Sequence, residues 1–156
     1  MEYRQLGNTG MMTSVVGLGG EQLEGESRQV AAGTVSRAID LGINIVDIFM
    51  SNPDVRTNIG LGLKGRRDKM LVQGHFASVW KDGQYKRSRN LDECKIAIDD
   101  LFRRLDTDYI DIGMLHYVDE LEDWETAKRN GVVDHMIKMK DAGKFRTLGF
   151  SSHDPK

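Results

Sequence analysis

The amino-acid sequence predicts an α/β protein with a parallel sheet of about five strands, preceded by an N-terminal β-hairpin. Three observations predict it: short apolar runs typical of buried strands, segments of helical periodicity between them, and glycines that end both kinds of segment. Strands that alternate with helices form parallel sheets through right-handed crossovers. The alternation fits a barrel and a doubly wound sheet equally well, so both remain open at this point.

The first residues are predicted to form the hairpin and the first buried strand. The segments Tyr3 to Leu6 and Met11 to Ser14 flank Gly7-Asn8-Thr9-Gly10, which favours a hairpin turn. The run Val15 to Gly20 is apolar and closed by glycines, which indicates a strand followed by a turn.

The remaining elements follow in order along the chain. Helices are predicted by apolar periodicity and by capping and stop residues, and strands by short β-branched runs. The predicted helices are Ser27 to Leu41, Asp54 to Lys64, Asn90 to Leu105 and Asp123 to Ala142; the strands are Asn44 to Ile48, Met70 to Gln73, Tyr109 to Leu115 and Arg146 to Phe150. The segment Ala77 to Arg89 is predicted to be a loop. Its basic cluster of Lys81, Lys86, Arg87 and Arg89 is expected to lie in solvent, and contact with an anion is the alternative.

Composition is that of an ordinary globular protein. With 39% hydrophobic residues, 29% charged residues and a net charge of −2, the chain gives no electrostatic reason to expect nucleic acid or a membrane surface as partner. Cys94 is the only cysteine, which excludes an intrachain disulfide. The sequence contains no signal-peptide pattern and no run of ~20 apolar residues, so we expect a cytoplasmic protein.

Polar side chains follow four successive predicted strands. Asp47 ends the second strand, His75 follows the third, His116 follows the fourth, and residues 151–153 (Ser-Ser-His) follow the fifth. Each has a structural explanation of its own, such as a hydrogen-bonded loop histidine or an aspartate that caps a turn. Because parallel strands bring their carboxyl ends to one face, we expect the four positions to form a shared functional face.

Several motifs resemble the aldo/keto reductase family. The similar segments are Tyr3 to Gly10, Val16 to Gly20, Ala38 to Asp47, Leu105 to Ile112 with Leu115-His116, and Gly143-Lys144 with Gly149 to Ser152, in the family's order over essentially the whole chain. The resemblance implies a partial (β/α)₈ TIM barrel, a single domain over residues 1–156 truncated after strand five, because a closed barrel of this class needs ~250 residues. The ending Gly149 to His153 is most similar to a bacterial subgroup, some of whose members carry a C-terminal iron–sulfur module.

The resemblance also implies an NADP(H)-linked oxidoreductase acting on an aldehyde or ketone. In the family, a Tyr hydroxyl protonates the alkoxide, assisted by a Lys, an Asp and a His. Here the Asp and His positions hold Asp47 and His116, whereas the Tyr and Lys positions hold Asn52 and His75. An Asn amide cannot deliver a proton at neutral pH, so His116 becomes the first candidate donor. His75 is also able to donate a proton, and Tyr85, in the predicted loop after the third strand, is the least favoured candidate.

The cofactor contacts that the resemblance implies belong to the nicotinamide end. Asp47 is expected near the ribose, and Ser151 and Ser152 near the carboxamide. Gly19 and Gly20 are expected to allow close approach of a ligand to the backbone. They do not form the G-x-G-x-x-G dinucleotide fingerprint.

Other functions remain open. A pseudoenzyme that keeps the fold for binding or assembly would explain the changed Tyr and Lys positions. A metal-dependent hydrolase or isomerase would use Asp47, His75 and His116 as ligands of Zn²⁺ or Fe²⁺; in the reductase interpretation no metal ligand is assigned. A five-stranded parallel sheet also has open edges, which the rest of a longer chain or an oligomer is expected to cover.

Overall fold

The computed structural model describes residues 1–154, and it begins with the predicted hairpin. Strands β1 (Tyr3–Gln5) and β2 (Met12–Ser14) pair antiparallel. Asn44 ties this hairpin to the rest of the chain, because its Oδ1 accepts from the backbone N–H of Ser14 at 2.7 Å and its Nδ2 donates to the carbonyl of Met12 at 2.8 Å. The hairpin therefore lies at the amino-terminal end of the strand that follows Asn44.

Strands and helices alternate along the rest of the described chain. In order they are β3 (Leu18–Gly19), α1 (Arg28–Asp40), β4 (Ile45–Ile48), α2 (Pro53–Leu63), β5 (Leu71–Phe76), β6 (Ser78–Lys81), β7 (Gln84–Arg87), α3 (Leu91–Leu105), β8 (Ile110–Leu115), α4 (Leu121–Arg129), α5 (Val132–Asp141) and β9 (Phe145–Phe150). Short 3₁₀ turns at Glu21–Leu23 and Arg67–Lys69 lead into α1 and β5.

Five strands form one parallel sheet in the order β3-β4-β5-β8-β9. Among these five strands, each one pairs with the strand of the same sheet that comes before it in the sequence. A doubly wound sheet reverses its strand order at a switch point, whereas a (β/α)₈ barrel adds strands in sequence. The order therefore selects the barrel arrangement from the two that the sequence left open.

The segment predicted as a loop is a second antiparallel hairpin. Strands β6 and β7 pair with Trp80 opposite Tyr85. The two residues of its turn, Asp82 and Gly83, have φ of 56° and 72°, the pair of positive values that a type I′ turn requires. The loop prediction for Ala77 to Arg89 is therefore wrong, and the difference decides where Tyr85 lies.

Two other predicted elements are shorter than expected. The helix predicted over Asp123 to Ala142 is two helices, α4 and α5, because Gly131 between them has a left-handed backbone with φ of 74°. Only Leu18 and Gly19 of the first predicted buried strand pair with β4, and Val15 and Val16 before them are exposed.

The apolar core lies between the sheet and its helices. Val46 and Val72 of the sheet and Leu101 of α3 are completely buried there. Cys94 is buried in the same core, and burial raises the pKa of its thiol to about 11, which suits a structural residue. No helix in the described part of the chain is both long and apolar enough to span a membrane.

Candidate active site

Three predicted catalytic residues meet at the carboxyl edge of the sheet. Asp47 lies in β4, His75 in β5, and His116 directly after β8. The three strands are adjacent and parallel, so their ends bring these side chains together. His75 and His116 are buried, whereas 38% of the Asp47 side chain is exposed. The three side chains therefore share one edge of the sheet, and the function of that edge stays a prediction.

The three side chains and Tyr85 form a continuous chain of hydrogen bonds. Asp47 Oδ1 lies 3.0 Å from His75 Nε2, and His75 Nδ1 lies 2.8 Å from His116 Nδ1. His116 Nε2 is in turn hydrogen-bonded to the Tyr85 hydroxyl. Gln73 Nε2 donates to the same Asp47 oxygen at 2.8 Å. Each imidazole thus has a partner at both nitrogens.

The β6–β7 hairpin places Tyr85 in this chain of hydrogen bonds. The polypeptide turns back at Ala77, which has a φ of 75°, and the hydroxyl of Ser78 donates to the carbonyl of Phe49 at 2.5 Å. Sequence reasoning ranked Tyr85 behind His116 because it assigned this segment to a loop. The dipeptide Asp82-Gly83 was the available signal, since Asp-Gly is a preferred pair for a two-residue type I′ hairpin turn.

Phe49, directly after β4, packs against all three rings of the site. Its ring is parallel to that of His116 at a centroid distance of 5.7 Å, and edge-on to Tyr85 at 5.9 Å. It also meets His75 at 6.2 Å. This packing holds the rings in place and limits the access of water to the hydrogen bonds between them.

Burial and neighbouring charges set the protonation of the site. Burial, followed by the charges of His75 and Arg89, lowers the pKa of His116 to about 3. Burial opposes the ionisation of Asp47, but the hydrogen bond and charge of His75 outweigh it and hold the pKa of Asp47 below its usual value. Burial raises the pKa of the Tyr85 hydroxyl. At neutral pH, Asp47 is therefore ionised, His116 is neutral and Tyr85 keeps its proton.

Arg89 fixes the segment that carries His116. Its side chain is only 8% exposed, and its Nη2 donates to the carbonyls of His116 and Tyr117, both at 2.9 Å. Its Nε donates to Asp123 of α4 at 3.0 Å. The prediction that the basic cluster lies in solvent is therefore wrong for Arg89, which holds the loop after β8 against α4.

Asn52 has contacts that differ from those expected of a catalytic residue. Its Oδ1 accepts from the backbone N–H groups of Asp54 at 2.8 Å and Val55 at 3.4 Å, which caps the N-terminus of α2. Its Nδ2 donates to Glu24 at 2.7 Å. These contacts explain the residue as a helix cap, and a catalytic role of Asn52 stays a prediction.

The two glycines predicted to approach a cofactor lie beside Asp47. Gly19 is opposite Asp47 in the β3–β4 register, and the N–H of Gly20 donates to the Asp47 carbonyl at 2.8 Å. A Cβ at Gly20 would lie 2.8 Å from the same oxygen, so a larger residue would push the strands apart. Gly20 thereby keeps the end of β3 close to β4, and cofactor binding by the glycines stays a prediction.

Ser151 and Ser152 follow β9 at the same edge and order the loop after β8. The hydroxyl of Ser151 accepts from the N–H of Tyr117 at 2.8 Å. The hydroxyl of Ser152 donates to Asp119 at 3.0 Å. Both residues are partly exposed, and their predicted contact with a carboxamide stays a prediction.

The arrangement does not support the metal hypothesis. Asp47, His75 and His116 lie in a row, and the ring nitrogens of His75 face the other two side chains instead of a common point. Within residues 1–154, no group of three or more His, Cys, Asp or Glu side chains is placed to hold a metal ion. No observation in residues 1–154 favours the hydrolase or isomerase interpretation, which stays a hypothesis.

Comparisons with known proteins agree on one family. Residues 15–156 match the model of the aldo/keto reductase family. The aldo-keto reductase YhdN of Bacillus subtilis (strain 168) is 29% identical over 164 residues, which cover 97% of this chain and 47% of the relative. The holo form of the aldo-keto reductase AKR11C1 from Bacillus halodurans has a TM-score of 0.84 at 28% identity, over 99% of this chain and 51% of that one.

A second solved structure shares the fold and contains bound ligands. An aldo/keto reductase from Klebsiella pneumoniae, solved in complex with NADP and acetate, has a TM-score of 0.69 at 23% identity, over 94% of this chain and 48% of that one. The present chain thus spans about half the length of the relatives it matches. These neighbours and the sequential parallel sheet confirm the predicted TIM-barrel fold with its N-terminal hairpin. The chain belongs to the aldo/keto reductase family.

Proposed function

We propose that the full-length protein is an NADP(H)-linked oxidoreductase that interconverts a small aldehyde or ketone with its alcohol, and that Tyr85 is its proton donor. The observation that carries this proposal is the hydrogen bond between the Tyr85 hydroxyl and His116, at the same edge of the sheet as Asp47. Family membership supports the reaction class, and the neighbour solved with NADP supports the cofactor.

Tyr85 suits the role of general acid better than the other residues of the site. A general acid must hold a proton at the working pH and release it to a stronger base. His116, with a pKa of about 3, is a neutral imidazole that faces Tyr85, and the Asn52 amide is not an acid. The raised pKa of Tyr85 keeps its proton in place until an alkoxide, which is a much stronger base, develops beside it.

The residues at this edge fit the nicotinamide end of the cofactor, which supplies or accepts the hydride. Asp47 is partly exposed, as a carboxylate that binds ribose hydroxyls must be. Apart from the residues next to it in the chain, no described atom lies within 4 Å of the position that a Cβ would take at Gly19, so space is open beside Asp47. The hydroxyls of Ser151 and Ser152 follow β9 at the same edge and suit a carboxamide.

One face of the β6–β7 hairpin suits a small apolar substrate. Ser78, Trp80, Tyr85 and Arg87 share one face of the β6–β7 pair, because paired and alternating residues point the same way. Ser78 and Tyr85 contact the site through Phe49 and His116, so this face is turned towards the carboxyl edge. We expect the apolar part of the substrate to lie against Trp80 and Phe49.

A non-catalytic barrel protein is the second candidate function. The predicted replacement of the family's Tyr and Lys by Asn52 and His75 favours it, whereas the Tyr85 hydroxyl in the site favours an enzyme. The full-length protein would be titrated with NADPH while the fluorescence of the cofactor is followed, and then assayed with a series of small aldehydes and ketones. Binding with turnover supports the oxidoreductase. Binding without turnover favours the non-catalytic protein, and absence of binding overturns the proposed cofactor.

A further inference from the structure

We infer that Tyr85, His116, His75 and Asp47 form a directional proton relay, in which the two histidines pass the proton of the catalytic tyrosine to the partly exposed Asp47. The inference rests on the proposed function and deepens it, because it gives His75 and Asp47 a role in proton transfer. It is carried by the unbroken row of hydrogen bonds from the Tyr85 hydroxyl to the Asp47 carboxylate.

The direction of the relay follows from what each group can donate. An ionised carboxylate only accepts, so His75 Nε2 donates to Asp47 Oδ1 across 3.0 Å. In the proposed relay His75 carries its one hydrogen on Nε2, so its Nδ1 is the acceptor in the 2.8 Å contact with His116 Nδ1. His116 then donates from Nδ1 and accepts at Nε2 from the Tyr85 hydroxyl. Every hydrogen points towards Asp47.

This arrangement moves one proton in the direction of alcohol oxidation. The substrate gives its hydride to the oxidised nicotinamide cofactor and its hydroxyl proton to Tyr85, whose own proton passes to His116 Nε2. The Nδ1 proton of His116 passes to His75 Nδ1, and the Nε2 proton of His75 passes to Asp47. Tyr85 and both imidazoles end neutral, as they began, and Asp47 gains the proton. Carbonyl reduction runs the same steps in reverse and starts from a protonated Asp47.

Burial separates the interior of the relay from its outlet. The His75 side chain is 4% exposed and the His116 residue 5%, and Phe49 packs over both rings. The Asp47 side chain is 38% exposed, far more than either histidine. Its hydrogen bonds from Gln73 and His75 both reach Oδ1, which leaves Oδ2 for exchange of the proton with solvent.

The relay also gives a reason for histidine at the position where the family has lysine. An ammonium group offers three donors and no acceptor, so it can stabilise a tyrosinate but cannot receive a proton on one atom and pass it on from another. An imidazole has one nitrogen for each task. His75 therefore connects His116 to Asp47 in a way that Lys could not.

The first test is the tautomeric state of the two histidines in the full-length protein without cofactor or substrate. Heteronuclear NMR of isotopically labelled histidine identifies which ring nitrogen carries the hydrogen, and His75→Gln assigns the signals. At neutral pH we expect hydrogen on Nε2 of His75 and on Nδ1 of His116. Hydrogen on Nε2 of His116, or on both nitrogens of His75, would overturn the relay. No turnover is involved, so this result is independent of the proposed function.

The second test follows the protons during turnover. His75→Gln keeps a hydrogen-bond donor and an acceptor, but a carboxamide does not accept a proton on one atom and release one from another as an imidazole does. We expect kcat of this variant to fall by about 10²-fold, within the range of proton-transfer catalysis, with NADPH affinity unchanged. The dependence of kcat on the fraction of heavy water should be curved for the wild type and linear for His75→Gln. A linear dependence in the wild type, or an unaltered curve in His75→Gln, would contradict the relay.

Discussion

Gly60 of α2 lies directly against the backbone of Arg104 in α3. A Cβ at Gly60 would overlap the carbonyl oxygen of Arg104 and would lie 3.0 Å from the Cα of Leu105. The two helices therefore approach each other more closely than any residue with a side chain would allow. The glycine that weakens α2 as an isolated helix is what lets it pack in the fold.

We expect Gly60→Ala to destabilise the protein, although alanine favours a helix over glycine by about 1 kcal/mol. The overlap is with backbone atoms, which no side-chain rotation relieves, so the helices must separate at a net cost of about 2 kcal/mol. The free energy of unfolding in urea measures this. The matched control is Gly33→Ala in α1, where no described atom beyond the neighbouring residues and backbone of α1 lies within 4 Å of the new Cβ and a gain of about 0.5 kcal/mol is expected. Equal stability of the two variants would contradict the close contact.

Asn52→Ala is expected to lower stability by about 1 kcal/mol, because it removes the cap of α2. Asn52→Ser is the control, since serine caps helices about as well. Urea unfolding of both variants measures the difference, and neither is expected to lose carbonyl turnover. A loss of kcat in both variants, with the stability of Asn52→Ser unchanged, would instead support the predicted catalytic role of Asn52.

The pH dependence of stability should report the burial of His116. Its pKa is about 3 in the folded protein and near 6.5 in an unfolded chain. Between these values the unfolded chain binds more protons, so stability falls as the pH decreases from about 6.5 towards 3, by on the order of 4 kcal/mol. The lowered pKa of Asp47 adds a loss in the same direction below about pH 4.

The variant His116→Gln should flatten this decline between pH 6.5 and 4, measured as the free energy of unfolding at each pH. His135→Gln is the matched control, because burial also lowers the pKa of His135 but that side chain is less buried than His116. We expect His135→Gln to change the slope of unfolding free energy against pH less than His116→Gln does. A His116→Gln slope equal to that of the wild type would contradict a neutral, buried His116.

The sequence was sufficient to predict which strand ends meet. Asp47, His75 and His116 follow consecutive parallel strands, and that topology alone requires their side chains to share an edge. It was not sufficient to predict that they form a row of hydrogen bonds. Separations of about 3 Å depend on ring orientations that Phe49 fixes, and Phe49 is itself held by Ser78 from a distant part of the chain.

The mistaken predictions arose where a local signal competed with apolar periodicity. The dipeptide Asn130-Gly131 is a turn signal, but apolar residues at helical spacing continue through Val132 and Met136 and favoured one long helix. Gly131 ends that helix with a left-handed backbone. The Asp82-Gly83 turn was missed because the polar and aromatic residues around it lack a clear alternation.

The proton donor is tested most directly by kcat of Tyr85→Phe in the full-length protein, followed through the absorbance of NADPH with a small carbonyl substrate. Phenylalanine keeps the ring beside Phe49 and removes only the hydroxyl. Tyr109→Phe is the control, because Tyr109 precedes β8 at the opposite end of the sheet. We expect kcat of Tyr85→Phe to fall by about 10²–10⁴-fold, with NADPH affinity and stability unchanged. A Tyr85→Phe variant that turns over as fast as Tyr109→Phe would contradict the assignment.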